Sequence, residues 1–347
     1  MKAVRYNGAG QAPSLEDVAR PSPGPGEVIV RIGGAGVCHS DLHLIDEDQG
    51  FPAGFTLGHE NAGWVEALGD GVSGLSVGEG VAIYGPWGCG RCHACQLSME
   101  NYCENSTRGE AGGGLGFDGG MAPYMRVPDA RLLVPLGGLD PKLAASLSDA
   151  ALTPYHAIKR ALPKLKGGDT VVVLGIGGLG HMAVQLLQAL APVRIIAGDV
   201  NSDKLAQAQE LGADHTVNTG NASAAAEEIH AFTEGRGAAM VLDCVGLQAT
   251  FDLAPRILGV NSVWTVVGLG GGMHEFRFGS LPFGCELSIP YWGTRSELME
   301  VIEMARDGLI HVQISEFALD DAVAVYDKLR AGDIVGRAVL VPSAADG

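Results

Sequence analysis

Two textures of apolar patterning divide the chain. Before about residue 150, short β-branched runs alternate with turn residues. Glu27 to Ile32, Trp64 to Leu68 and Val81 to Tyr84 each read as a strand, the first set off by Pro21, Pro23 and Pro25 and the others bounded by glycines. This spacing predicts a small, irregular β-domain. From about Thr170 the pattern changes. Val171 to Leu174 is a continuous apolar run, as expected of a strand buried on both faces, and Ala183, Leu186, Leu187 and Leu190 then recur at helical spacing. Further apolar runs at Val193 to Ala197, Ala239 to Leu242 and Val263 to Val267 complete a βαβ series, which implies α/β architecture with a doubly wound parallel sheet. After Gly284 the pattern shifts again. Thr294-Arg-Ser-Glu297 reads as a capping box opening a helix whose apolar face is Leu298, Val301, Ile302 and Ala305. Asp320 or Asp321 is expected to cap another helix through Leu329, and Gly336 to Val341 reads as a closing strand.

Composition narrows the function. A chain of 347 residues favours two domains, and 46% hydrophobic with 18% charged residues describes a packed globular protein. The formal charge of -17, from 40 acidic and 23 basic residues, repels phosphate backbones and anionic lipid, so nucleic-acid and membrane-surface roles are disfavoured. Met1-Lys2-Ala3-Val4-Arg5-Tyr6 has no apolar leader, and no apolar run approaches a membrane span. The expected location is the cytoplasm, where thiols stay reduced. Clustered cysteines there bind metal more often than they pair, which bears on the seven in this chain.

Cys89-x2-Cys92-x2-Cys95-x7-Cys103 is the most specific signal. Four thiolates in a loop containing Gly85, Gly88 and Gly90 can wrap one tetrahedral Zn²⁺ and leave no position for substrate, so this site reads as structural. Two disulfides, unligated thiols or an iron–sulfur cluster are the alternatives, and His93 inside the loop is a competing ligand. A second set is weaker by itself. Cys38, in Cys38-His39-Ser40-Asp41-Leu42-His43, and His59, in Gly58-His59-Glu60, are two candidate ligands of another zinc, although a lone histidine is more often structural.

Gly175-Ile176-Gly177-Gly178-Leu179-Gly180 follows the Val171 to Leu174 run and opens a helix, the setting in which G-x-G-x-x-G binds a dinucleotide. The glycines allow a tight turn and close approach to a pyrophosphate on the helix N-terminus. Asp199 ends the next strand, where an acid binds both ribose hydroxyls and repels a 2′-phosphate. Val200 and Asn201 add no positive charge, so NAD is favoured over NADP.

Taken in order, Cys-His-Ser-Asp, Gly-His-Glu followed by Gly63 and Gly69, and the four-cysteine lobe resemble the zinc-dependent medium-chain alcohol dehydrogenases over essentially the whole chain. The likeness is to the bacterial NAD-dependent secondary alcohol dehydrogenases in particular, through Tyr84 to Cys89, Leu152 to Ala157 and Pro290 to Thr294. The resemblance implies a GroES-like catalytic zinc domain over 1–149, a Rossmann NAD-binding domain over 150–288 and a C-terminal return over 289–347. It implies Asp149 as third ligand of a catalytic zinc with Cys38 and His59, leaving an open fourth position. Spacing alone does not select Asp149. Glu60 would approach that metal transiently and Asp41 would orient His59, a surface carboxylate being the alternative for Asp41. Ser40 would take the alcohol proton and pass it through the cofactor ribose towards His43. Thr153, Lys204, Arg337, His39 and Val267 join the glycine loop as cofactor-contacting positions, with ordinary solvated charges as the alternative for Lys204 and Arg337. Phe51, Leu115, Tyr291 and Trp292 are candidates for an apolar substrate pocket, or else simply core.

The expected function is zinc-dependent, reversible oxidation of alcohols, secondary and aromatic ones included, with hydride transfer to NAD and two zinc ions per chain. A polyol or amino-alcohol dehydrogenase on the same scaffold, or a catalytically idle NAD-binding relative, are the rivals. A zinc-free quinone reductase is disfavoured by the retained ligand sets. The family also implies a homo-oligomer, a tetramer or a dimer.

Overall fold

The alternating pattern before residue 150 and the continuous pattern after residue 170 become two kinds of sheet. The structure, a computed structural model, describes residues 1–106 and 111–343. The chain divides into two compact units, one formed by Met1–Leu152, Thr294–Asp307 and the segment from Val312 onward, the other by Thr153–Gly293 and Gly308–His311.

In the first unit, seven of the described strands form one sheet. Ile314–Ala318, Arg337–Val341, Val28–Val37, Glu60–Leu68, Gly80–Ile83 and Leu133–Pro135 lie in that order, and Tyr124–Val127 pairs alongside Val28–Val37. Its neighbours run antiparallel except for the first pair. The Val28–Val37 strand is buried along nearly its full length, with Arg31 as the exposed break. It ends at Cys38, the N-cap of the His39–Asp46 helix, so one chain reversal delivers Cys38, Ser40 and Asp41 together.

In the second unit, six described strands form an all-parallel sheet in the order His215–Asn218, Arg194–Asp199, Thr170–Leu174, Ala238–Asp243, Leu258–Val266, Glu286–Ser288. This 3-2-1-4-5-6 order is that of a Rossmann sheet, whose ligands lie at the carboxyl ends of the strands. Val172, Leu174, Ile196, Val241 and Trp264 share one buried core with the helix residues Ile229 and Ile257. Burial on both faces explains why these strands lack alternation.

The Thr294–Glu297 capping box forms and opens the Arg295–Arg306 helix. The expected aspartate cap does not form. Asp321 precedes the Ala322–Ala331 helix at φ −86°, ψ −1°, already helical, and makes no side-chain cap bond, because a 3-10 turn over Leu319–Asp321 leads into the helix. Among the described residues no helix is long and apolar enough to cross a membrane.

Candidate metal centres and cofactor site

The four lobe cysteines converge although the Cys89–Cys103 segment contains only a short helix at His93–Gln96 and a single 3-10 turn at Glu100–Tyr102. Sulfurs held tetrahedrally about 2.3 Å from one zinc lie about 3.8 Å apart, against 4.0 Å for Cys89–Cys95 and 3.9 Å for Cys92–Cys103. A disulfide needs about 2.05 Å, and all four thiols are free. N–H groups serve the sulfurs: Cys92 N donates to Cys89 Sγ at 3.3 Å and Cys89 N to Cys103 Sγ at 3.2 Å. The Arg91 N–H, the Asn105 amide and the Cys92 N–H lower the Cys89 thiol to about 6, favouring the thiolate that a metal requires. Arg131 braces the lobe by donating to Glu100, Trp87 O and Gly88 O. His93 is exposed at the helix start.

A second cluster gathers ligand atoms of Cys38, His59, Glu60 and Asp149 within 4.8 Å of one another, all buried. Asp149 Oδ2 lies 3.7 Å from Cys38 Sγ and 3.6 Å from His59 Nε2. These separations fit the edges of one zinc coordination shell built from a thiolate, an imidazole and a carboxylate. His59 Nδ1 is 3.0 Å from Asp41 Oδ1, which turns Nε2 towards Asp149, and Asp41 Oδ2 accepts from Cys38 N at 3.0 Å. Asp41 is fully buried, so it is not a surface carboxylate. Burial opposes charge on His59, but Asp41 and Asp149 outweigh it and raise its pKa well above the ordinary value.

Glu60, though adjacent to His59, is committed elsewhere. Arg337 Nε donates to Glu60 Oε2 at 2.9 Å and Nη2 pairs with Oε1, and Arg337 Nη2 lies 3.8 Å from Asp149 Oδ2. Burial pushes the Glu60 carboxyl up to about 7, with Arg337 pulling the other way and Asp149 adding to the rise. Arg337, which the resemblance implies as a cofactor-contacting position, is itself buried in this pair. Ser40 Oγ stands 3.5 Å from Cys38 Sγ, and His43 follows three residues on along the same helix, half-buried, while His39 is exposed.

The glycine loop occupies the second unit. Gly175, at φ +87°, takes a backbone conformation that side chains disfavour, and a Cβ there would strike Val245. A Cβ at Gly180 would strike the Gly175 carbonyl, so this glycine serves the turn itself. Gly177 differs, because a Cβ there meets nothing within 4 Å. Packing within the protein does not demand that glycine, and open space over the loop fits a closely approaching pyrophosphate. Asp199 caps the arrangement, its Oδ2 accepting from Ile176 N at 2.7 Å and its Oδ1 from Asn201 N at 2.9 Å. Gly178 and Leu179 complete the loop before the Gly180–Leu190 helix, and Lys204 is half-buried near the start of the next helix. Val267 donates its N–H to Asp243 O at 2.9 Å at the end of Leu258–Val266. Thr153 is buried in the Leu152–Ala161 helix.

Of the pocket candidates, Leu115 is buried and Phe51 half-buried in the first unit, whereas Trp292 is buried and Tyr291 exposed in the second. Trp292 sits at φ +54°, unusual for a bulky side chain, with the Tyr291 ring edge-on at 5.9 Å. Sequence reasoning missed two long-range partners, Glu60 for Arg337 and Met121 for Tyr326. A cavity of about 930 Å³ lies beside the cysteine lobe, and Cys38, His59 and Asp149 do not line it.

Comparison with known proteins agrees with this geometry. An alcohol dehydrogenase GroES-like domain matches residues 24–137 and a zinc-binding dehydrogenase domain matches 178–306. An NAD-dependent alcohol dehydrogenase of Sulfurisphaera tokodaii is 34% identical, with 99% of this chain and 100% of that protein covered. Among solved structures, the alcohol dehydrogenase of the hyperthermophilic archaeon Aeropyrum pernix superposes with a TM-score of 0.91 at 37% identity, covering 99% of this chain and 100% of that one. Acetophenone reductase from Geotrichum candidum, solved in complex with NAD, gives 0.84 at 30% identity, covering 98% and 96%. The chain therefore belongs to the zinc-dependent medium-chain alcohol dehydrogenases, as an NAD-dependent oxidoreductase acting on small-molecule alcohols.

Proposed function

We propose that this enzyme oxidises secondary alcohols, aromatic ones included, to ketones, with Cys38, His59 and Asp149 holding the reactive zinc and the four lobe cysteines holding a structural one. The observation that carries the site assignment is the engagement of Glu60 by Arg337. With Glu60 occupied, the buried cluster offers three donors, the number a zinc needs to keep a position open for substrate.

Zinc at that position supplies Lewis acidity towards an alcohol or carbonyl oxygen, and NAD supplies the hydride acceptor. Asp41 fixes the tautomer and tilt of His59. Ser40, bordering the cluster, accepts the hydroxyl proton as the carbinol carbon gives up its hydride, and His43 lies on the same helix to receive it onward. Within the second unit, Asp199 binds the adenosine ribose and the bare face of Gly177 receives the pyrophosphate, with Lys204, Thr153 and Val267 as further cofactor contacts. Phe51 and Leu115, in the same unit as the zinc ligands, supply apolar wall of the kind that a secondary, aryl-bearing carbon requires. The acetophenone-reducing relative supports this choice of substrate class.

The enzyme works as a homo-oligomer in the cytoplasm. Glu286–Ser288 is an edge strand of the parallel sheet, and Phe278, Phe283 and Ile289 nearby in sequence are exposed, an apolar edge suited to burial against a second copy.

Steady-state kinetics with NAD on 1-phenylethanol and its primary isomer 2-phenylethanol test the substrate class. A kcat/KM preference for 1-phenylethanol supports it. A preference for the primary isomer would leave the zinc chemistry and remove the secondary-alcohol assignment.

A further inference from the structure

Asp41 holds the His59 ring at Nδ1, but an imidazole is only as fixed as the peptide from which it departs. That peptide joins Gly58 to His59. Gly58 is buried at φ +96°, a backbone conformation that favours glycine, and a Cβ there would come within 2.6 Å of Met121 Cγ. Its carbonyl is enclosed on several sides. Gly120 N donates to it at 3.0 Å. A Cβ at Gly119 or at Gly114 would strike the same carbonyl, so glycines let the surrounding loop close on it.

Asn61 completes the enclosure. It lies on the Glu60–Leu68 strand, opposite Ala35 on one side and Ile83 on the other, and is 1% exposed. Successive side chains of a strand leave on opposite faces. Glu60 goes to Arg337, whereas Asn61 Nδ2 turns back and donates to Gly58 O at 2.9 Å. The amide nitrogen has to face this carbonyl, since the amide oxygen cannot donate. Asn61 Oδ1 fits because residue 120 is glycine, where a Cβ would strike it.

That oxygen has no hydrogen-bond partner among the described residues. A buried acceptor left so costs at least as much as the bond made by the nitrogen gains. An apolar side chain of similar shape would serve the fold as well, because Gly58 O keeps the Gly120 N–H. What the amide adds is a second donor on the plane that contains both Gly58 O and the His59 Cα.

We propose that Asn61 is a positioning residue for the reactive zinc: its amide fixes the Gly58–His59 peptide and so aims the His59 imidazole. Asp41 sets the ring, and Asn61 sets its root. This inference rests on the reading of Cys38, His59 and Asp149 as zinc ligands.

The test is chelator-driven zinc release from the full-length holoenzyme, with a thermal melt and the visible spectrum of protein carrying cobalt(II) in place of the labile zinc. Wild type should release two metals in separable phases. Asn61→Leu should speed release from the labile site about tenfold and shift the cobalt bands, with the four-cysteine phase and the melt close to wild type. Release and spectrum equal to wild type would overturn the proposal. So would acceleration of both phases with a lowered melt, which would make Asn61 a packing residue of the whole unit. Asn61→Ala, read in the same way, keeps the comparison if leucine does not fit. Failure of both variants to fold would assign the amide to the core and overturn the proposal as well. A wild-type enzyme holding a single metal would instead overturn the ligand reading beneath it.

Discussion

Arg337 and Glu60 form a buried, two-pronged ion pair, with Arg337 Nε donating to Glu60 Oε2 at 2.9 Å, right beside the Cys38–His59–Asp149 cluster. The two residues are far apart in the chain, so the pair staples the closing Arg337–Val341 strand to Glu60–Leu68 next to the metal site. Removing one partner strands a charge in a dry place. Arg337→Met is therefore expected to destabilise by about 3–5 kcal/mol, read as a lower urea midpoint at unchanged slope. A midpoint equal to that of wild type would show that Glu60 finds another partner or a proton.

The glycine loop separates fold from binding. Gly177→Ala places a methyl in open space, so stability should hold while NAD affinity falls at least about tenfold, equivalent to ~1.4 kcal/mol. Gly180→Ala drives a methyl into the Gly175 carbonyl and should lower stability itself. Calorimetric NAD titration with a thermal melt of each variant checks the contrast.

The cysteine lobe should act on stability rather than chemistry. Cys92→Ser is expected to cost one zinc per chain and about 2 kcal/mol or more, a part of the roughly 10–16 kcal/mol that structural zinc can supply. Turnover per folded molecule should stay within a fewfold of wild type.

Acid sensitivity has one traceable contribution. Burial works to raise the Asp118 pKa, but the Thr56 N–H at 2.7 Å and the Arg5 guanidinium at 2.6 Å prevail and hold it below the usual carboxylate value. A carboxyl lowered in the folded state stabilises above its unfolded pKa of about 3.9. That contribution disappears as pH falls through the lowered folded value. Asp118→Asn should lower stability at neutral pH and narrow its gap to wild type below about pH 4, as followed by urea unfolding across that range.

How far the sequence carries depends on the distance over which each feature is encoded. The parallel sheet was legible because burial on both faces writes itself as unbroken apolar runs such as Val171 to Leu174. The four-cysteine lobe was legible because its ligands lie within fifteen positions of one another, from Cys89 to Cys103. Cys38 and His59 formed only a weak pair by themselves, and Asp149 came from family resemblance, since nothing local marks a buried aspartate as a ligand. Arg337 and Tyr326 were illegible for a further reason. Their partners, Glu60 and Met121, lie hundreds of positions away, and a tyrosine among Ala322, Val325 and Leu329 reads simply as helix core. The expected Asp321 cap failed because a 3-10 turn, whose local signal is faint, already leads into the helix.

The central claim is that Cys38, His59 and Asp149 hold the zinc at which alcohols react, and the most direct measurement is zinc content with turnover for wild type and Asp149→Ala. Two zincs per wild-type chain, one in the folded variant, and loss of turnover on 1-phenylethanol in that variant are the predicted results. Two zincs and wild-type kcat in Asp149→Ala would contradict the ligand assignment, and so would a wild-type enzyme that turns over with a single zinc.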